Sequence, residues 1–349
     1  MKKLVCLGLS AVLAAGLLSG CGGSGGETVR LNVYNVGDYI DEDVLDIFEE
    51  ENPGIKINYE TYYTNEEMYV KVANGGSDYD VVFPSDYMVQ KMADEGLLNK
   101  LNYDNIPNYS NVGGQYKGMD YDPNEEYTVP YMWGTMGILY NKTMVDEPVT
   151  SWKILWDEKY EKNIFMLDSE RDTLGITLKM LGYSMNTGDE QELNEALNAL
   201  IEQKPLVLAY AGDEVKDKMI NGEGAMTVAW SGDAFYCIEQ NPDLAYAVPE
   251  EGSNIWFDAM AIPTTSKHQA EAEKFIDFMC RPDIALRNAE YIGYSTVNTA
   301  AQEMLDDDVK NDPLRYPDLS SLTGLEVFKY DKELTQKYSD LWQKLKVSN

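Results

Sequence analysis

Acidic and aromatic residues directly follow apolar, strand-like runs at several points in this 349-residue chain. Examples are Ser85-Asp86-Tyr87 after the run 79–83, and the segments 168–172 and 230–233, which each follow another such run. Carboxylates form charge-assisted hydrogen bonds with cations, and the faces of aromatic rings attract cations as well. Ligands of open α/β sheets sit beyond the carboxyl ends of the strands. The pattern therefore predicts a cleft lined by acids and rings.

Asp258 is the most informative of these acids. It lies in the apolar run Trp256-Phe257-Asp258, which begins another strand-like stretch. A carboxylate in a buried strand is rarely left without a partner, so we expect a cation beside it. That cation could be a ligand or an internal side chain such as Arg171.

Structural roles compete with binding roles at the other candidates. Ser85 and Asp38 could cap the helices that follow them. Trp230 and Trp256 could be core residues, and the chain's 25 tyrosines would place some near any cleft. We assign Trp152 and Trp156, which are not cleft candidates, to core packing.

Alternating strands and helices must position these side chains. The pattern predicts an α/β fold with a parallel, doubly wound sheet followed by a second α/β lobe. Thr64 and Glu67 form a capping box at one helix start. We predict strands at 29–35, 55–62, 79–83, 164–167, 206–209, 225–229 and 245–248, and helices that include 173–181, 190–203 and 332–346.

The first 20 residues are predicted to be a signal peptide, because Lys2 and Lys3 precede an apolar run that is short for a membrane span. The motif Leu18-Ser19-Gly20-Cys21 resembles a bacterial lipobox, which implies cleavage before Cys21 and lipid attachment to its sulfur. Residues 21–28 then form a flexible, glycine-rich leash. The alternative is an ordinary cleaved signal peptide with an incidental cysteine.

Charge and composition narrow the function. Loss of residues 1–20 removes two lysines and no acid, which moves the net charge from −32 to −34. Such a surface repels nucleic acid and attracts cations, although it also simply favours solubility. A single histidine, His268, and the absence of nucleophile motifs argue against an enzyme, a metal site or a cofactor. Cys237 and Cys280 could pair or remain free thiols.

From about residue 31 to residue 346 the chain resembles the spermidine/putrescine-binding proteins of bacterial polyamine ABC importers. The resemblance rests on an ordered series of segments: Asn65-Glu66-Glu67-Met68-Tyr69, Pro84-Ser85-Asp86-Tyr87, Tyr131-Met132-Trp133-Gly134, Leu181-Gly182-Tyr183-Ser184, Ala259-Met260-Ala261-Ile262-Pro263, Arg281-Pro282-Asp283 and Ile292-Gly293-Tyr294. It implies a two-lobed, periplasmic-binding-protein-like clamp joined by crossing strands. One lobe would comprise 27–135 and 257–304, and the other 136–256 and 305–349. Gly134 and Gly137 suit hinge positions near the crossing.

The resemblance also implies a ligand and a setting. The ligand is putrescine or spermidine, the partner is a membrane permease, and the protein is a monomer held on the outer face of the cytoplasmic membrane. Ligand contacts carried over by motif are Asp38, Tyr39, Ser85, Tyr87, Asp172, Trp230, Trp256, Asp258 and Tyr294, with Gly37, Ser169 and Glu170 as possible additions. Val36, Gly37 and Ser169 depart from the family pattern, so a different organic cation or small solute, or a surface sensor, remains an alternative.

Overall fold

The computed structural model describes residues 28–37, 39–75, 78–319 and 323–348. The strands are β1 (Val29–Val36), β2 (Ile55–Tyr62), β3 (Val81–Val82), β4 (Thr128–Asn141), β5 (Ile164–Leu167), β6 (Val207–Ala211), β7 (Met226–Trp230), β8 (Leu244–Ala247), β9 (Ile255–Ala261) and β10 (Ser295–Thr296). The α-helices are α1 (Asp43–Glu51), α2 (Asn65–Ala73), α3 (Asp86–Asp94), α4 (Glu170–Leu181), α5 (Glu190–Gln203), α6 (Val215–Ile220), α7 (Ser231–Gln240), α8 (Gln269–Met279), α9 (Pro282–Ile292), α10 (Thr299–Gln302), α11 (Asp307–Lys310) and α12 (Lys332–Val347).

Local sequence signals account for several helix ends. Thr64 accepts a hydrogen bond from the Glu67 amide at 3.1 Å at the start of α2, as its capping box predicts. Pro282 opens α9, where a missing N–H costs nothing. Gly182 and Gly293 end α4 and α9 with φ of 85° and 80°, a left-handed conformation that glycine adopts without strain.

The strands form one mixed sheet in the order β2-β1-β3-β9-β4-β7-β5-β6, with β8 and β10 also paired to β4. The outer pairs are parallel, as predicted: β1 with both β2 and β3, and β5 with both β6 and β7. The centre is antiparallel, because β4 pairs with β9 over its first part and with β7 and β8 over its second. The two-lobed α/β architecture is therefore present, with one long strand shared between the lobes.

The pairing of β4 changes at a defined point. Thr135 is its last residue paired with β9, and Met136 is its first residue paired with β7. One hydrophobic core draws on residues between 31 and 133 and between 255 and 297, and we call the surrounding part the first lobe. The other cores draw on residues between 136 and 247 and between 328 and 345, and we call that part the second lobe. The exact residue division given above stays a prediction.

No helix in the described ranges combines the length and apolar character that a membrane crossing requires.

Candidate ligand-binding site

Asp258 lies on β9 and pairs with Met132 of β4, four residues before β4 begins to pair with β7. It is partly buried, and the Tyr39 hydroxyl donates a 2.6 Å hydrogen bond to its Oδ2. The Ser85 hydroxyl also lies close to this carboxylate. Burial raises the pKa of Asp258, and the two hydroxyl contacts and the more distant Arg171 partly oppose that rise. Among the described residues, no lysine or arginine lies within ion-pair distance of this carboxylate.

Backbone contacts between β9 and the start of α3 fix the position of Asp258. A bridge joins Ser85 to Asp258, and the Ala259 amide donates to the Pro84 carbonyl at 3.0 Å. The buried Asp86 carboxylate accepts from the Phe257 amide at 3.0 Å. Burial raises the pKa of Asp86 to about 7 despite this bond. Two acids therefore stand close together on the first lobe.

Three rings flank Asp258. The centroids of Trp256 and Tyr294 lie 5.1 Å apart, and those of Tyr39 and Tyr294 lie 5.5 Å apart, both in edge-to-face geometry. The Trp256 indole N–H is buried and has no hydrogen-bond partner.

Tyr294 connects the first lobe to the second. Its hydroxyl lies close to the Asp233 carboxylate in the first turn of α7 and lowers the pKa of that acid, although burial raises this pKa by more. Lys216 lies 3.4 Å from the same carboxylate. A Cβ atom on Gly232 would lie 1.3 Å from the Tyr294 ring, so only glycine permits this approach. Trp230, at the N-cap of α7, is partly buried against the second lobe's core.

A second group of side chains extends the site to the start of α4. Asp172 is buried, and the Ser169 hydroxyl donates to its Oδ2 at 2.6 Å. Arg171 places its guanidinium 4.1 Å from the centre of the Tyr87 ring. The Tyr87 hydroxyl donates to Glu66 at 2.9 Å, and burial is the main cause that raises the Tyr87 pKa.

The structure brings together most of the side chains named from the sequence. Tyr39, Ser85, Trp256, Asp258 and Tyr294 form one contiguous group, and Tyr87, Ser169 and Asp172 form the other. Their roles as ligand contacts remain predictions. Asp38 and Cys21 lie outside the described residues.

The structure also shows the surroundings of three further candidates. Ser85 does occupy the N-cap position of α3, but its side chain makes no capping bond and instead contacts Asp258 and Asn65. The Glu170 carboxylate lies close to Ser339 on α12. Gly37 shows no atom within 4 Å of a would-be Cβ.

Sequence reasoning missed two acids as site candidates, Asp86 and Asp233. Both belong to segments already identified after strands, Ser85-Asp86-Tyr87 and Trp230-Ser231-Gly232-Asp233. Their position in the first turn of a helix that follows a strand could have identified them, because ligands of α/β sheets bind beyond the carboxyl ends of the strands.

In the described part of the chain, no group of three or more His, Cys, Asp or Glu side chains could hold a metal ion. Cys237 and Cys280 are both buried free thiols, which resolves the alternative left open above.

The two-lobed fold is that of a solute-binding protein. The sequence profile of the bacterial extracellular solute-binding protein family matches residues 43–317, and the chain belongs to this family. It is 36% identical to the spermidine/putrescine-binding periplasmic protein of Escherichia coli over 319 residues, which cover 91% of each chain.

Solved structures agree with this assignment. The spermidine/putrescine ABC transporter substrate-binding protein of Streptococcus pneumoniae, in complex with calcium and HEPES, superposes with a TM-score of 0.83 at 45% identity, covering 92% of this chain and 99% of that one. A putative spermidine/putrescine ABC transporter protein from Listeria monocytogenes gives a TM-score of 0.87 at 39% identity, with the same coverage of 92% and 99%.

Proposed function

We propose that this protein captures a polyamine, putrescine or spermidine, outside the cytoplasmic membrane and delivers it to an ABC permease. The observation that carries the proposal is Asp258, a carboxylate with hydroxyl partners and flanking rings but no ion-pair partner among the described residues. A buried carboxylate in such a setting is stabilised by a cation that enters from outside. The names of the relatives point to the same class of ligand.

The site supplies each contact that an alkyl diammonium needs. Asp258 would hold one ammonium group. The Oδ1 of Asp172, which lies 3.6 Å from Arg171 Nε but has no hydrogen-bond partner, would accept hydrogen bonds from another. Tyr39, Trp256 and Tyr294 would cover the methylene chain and attract the cations through their ring faces.

The contacts can be added to an approximate free energy of polyamine binding. Two charged hydrogen-bonded contacts contribute about 1.5–3 kcal/mol each, and each buried methylene adds about 0.8 kcal/mol. Association costs several kcal/mol, so a net affinity near the micromolar range, about −8 kcal/mol, is reasonable.

The setting of the proposed function is the outer face of the cytoplasmic membrane. Cleavage before Cys21 and lipidation of its sulfur would tether the protein there, with the glycine-rich residues 22–26 as the leash. The lobes would close over the ligand as a monomer and present it to the permease without chemical change. Replacement of Cys21 by serine should release the protein from the membrane fraction.

Titration calorimetry on the purified chain tests the ligand assignment. We expect heat and a raised melting temperature with putrescine or spermidine, and neither with an uncharged sugar or a neutral amino acid. Failure of every common di-, tri- and tetra-amine would refute the proposal. Loss of polyamine uptake in a deletion strain would distinguish a transport protein from a sensor.

A further inference from the structure

Residues 312–316, which we call the bridging turn, contact the hydrophobic cores of both lobes. Leu314 packs against the second-lobe core that contains Phe235, whereas Tyr316, two positions further on, packs against the core of the first lobe. The Tyr316 hydroxyl accepts a 3.1 Å hydrogen bond from the Thr296 amide on β10. One short segment therefore touches elements that move apart when two lobes open.

Arg315 is bonded to the first lobe through its backbone and to the second lobe through its side chain. Its carbonyl accepts a 2.6 Å hydrogen bond from the Ser295 hydroxyl on β10. The central carbon of its guanidinium lies 4.4 Å from the centre of the Phe235 ring on α7, and Nη2 donates at 2.8 Å to the Glu239 carboxylate one turn later. The Arg315 side chain is only 15% exposed. A largely buried arginine with these contacts ties the two lobes together.

The contacts use one face of α7. Ser231, Phe235 and Glu239 are spaced four residues apart, so they lie one above another on this helix. The Ser231 hydroxyl accepts a 3.3 Å hydrogen bond from the amide of Thr135, which is the last residue of β4 that pairs with β9. The same face of α7 therefore lies at the boundary between the lobes.

The tie lies beside the approach of Tyr294 to α7. β10 begins at Ser295, directly after Tyr294, and α7 begins one residue before Gly232. A Cβ atom on Gly232 would lie 1.3 Å from the Tyr294 ring, so the two elements are in close contact here. Because Arg315 joins the same two elements, opening of the lobes would separate its guanidinium from Phe235 or its carbonyl from Ser295.

The ring contact should stabilise the tie more than the ion pair does. Glu239 is 59% exposed, and exposed ion pairs contribute little because water and salt screen them. Phe235 is buried, and the attraction between a guanidinium and a ring is stronger where little water reaches the pair. Loss of the Arg315 side chain should therefore weaken closure more than loss of the Glu239 charge.

We propose that Arg315 is a positioning residue that holds the two lobes closed without touching the ligand. The tie forms when the lobes close, so it stabilises the closed state and slows the release of ligand from it. Entry of ligand into the open cleft does not depend on the tie, because the tie is broken there. The inference goes beyond the proposed function, and only its measurement with a polyamine rests on that function.

Stopped-flow kinetics with putrescine on the purified mature protein, followed by tryptophan fluorescence, test the effect on release. We expect R315A to raise the dissociation rate constant about fivefold or more and to leave the association rate constant nearly unchanged. E239Q should change both rate constants little. R315K keeps the charge but lacks the planar group that stacks on the ring, so its dissociation rate constant should lie between those of the wild type and R315A. R315Q replaces R315A should the alanine variant fold poorly.

Arg281 offers a matched control. Its guanidinium lies 5.0 Å from the centre of the Phe278 ring and pairs with Glu51 and Asp283, and all four residues belong to the first lobe. R281A should therefore change neither rate constant. A dissociation rate constant within about twofold of the wild type in R315A, or an equal increase in R281A, would overturn the role of Arg315.

Solution scattering on the ligand-free protein separates this inference from the proposed function. R315A should have a larger radius of gyration than the wild type and R281A, because a smaller fraction of its molecules is closed. If the wild-type protein bound no polyamine, the proposed function would be refuted and the ligand-free comparison alone would decide on Arg315. Equal radii of gyration in the three proteins would then overturn the inference as well.

Discussion

Replacement of Asp258 by asparagine should separate ligand affinity from stability. The side chain keeps its shape, and the amide can still bond to the hydroxyls of Tyr39 and Ser85, but the negative charge is lost. A hydrogen bond to a charged group contributes about 1.5–3 kcal/mol. We therefore expect the dissociation constant for putrescine to rise about 10- to 150-fold in calorimetry.

The same substitution should stabilise the ligand-free protein at pH 7. Burial raises the pKa of Asp258, so the folded state disfavours the ionised carboxylate that the unfolded chain carries freely. A neutral amide removes that penalty. The melting temperature without ligand should rise, and the increase in melting temperature on adding ligand should shrink.

Asp122 provides the control, because it is a buried acid of the first lobe whose carboxylate is bonded to backbone amides. It accepts hydrogen bonds of 2.9 Å from the amides of Glu126, Tyr127 and Thr128. D122N places an amide N–H₂ against these donors and should lower stability by about 1–3 kcal/mol without changing affinity. The reasoning is wrong if D258N binds putrescine within twofold of the wild type, or if D122N loses as much affinity as D258N.

Three further predictions concern closure, the rings and pH. G232A should weaken ligand binding and abolish ligand-induced compaction in solution scattering, because its Cβ would lie 1.3 Å from the Tyr294 ring. The control G188A, which has open space around the new Cβ, should change neither the affinity nor the compaction. W256A should weaken ligand affinity more than W152A does. W152A should lower the melting temperature more, because Trp152 is wholly buried in a core and its indole N–H donates to the Gly252 carbonyl. Equal affinities in the two variants would count against the aromatic site. The Asp86 pKa of about 7 lies above its value in the unfolded chain, so the contribution of Asp86 to stability falls as pH rises from about 4 to about 7. Over the same pH range, binding of a cation should release protons, and the affinity for the cation should increase with pH. Calorimetry at pH 6 in two buffers of different ionisation enthalpy would contradict this if it found no proton release.

Periodicity and turn residues predicted much of the fold. The strand at 164–167 and the helix at 190–203 match β5 and α5. The long central strand β4 was not among the predicted strands, although Gly134 and Gly137 within it were expected at hinge positions near the crossing strands. The two glycines are required by packing, since a Cβ at Gly134 would lie 2.5 Å from Trp256, and one at Gly137 would lie 2.4 Å from the Ala247 carbonyl. Whether they also serve as hinges stays a prediction.

The sequence predicted which residues belong to the candidate site better than it predicted which of them contact one another. The position of Tyr39 and Asp258 after or within strands indicated that both face the cleft, but nothing in the spacing shows a bond between residues 219 positions apart. Such contacts depend on which strands become neighbours, and here β9 reaches the centre of the sheet from late in the chain. Arg171 was expected only as one conceivable partner of Asp258, whereas it contacts Tyr87, Phe328 and Asp172 instead.

The contacts between the lobes suggest why closure should depend on the ligand. Asp258 of the first lobe and Asp233 of the second both lie close to Tyr294, and burial raises the pKa of both acids. Each would be more easily ionised in an open cleft, where water solvates the carboxylate. A bound diammonium supplies the positive charge that the closed arrangement lacks around Asp258, so it should stabilise the closed state over the open one. A neutral solute of the same size would fill the space and leave that electrostatic cost in place.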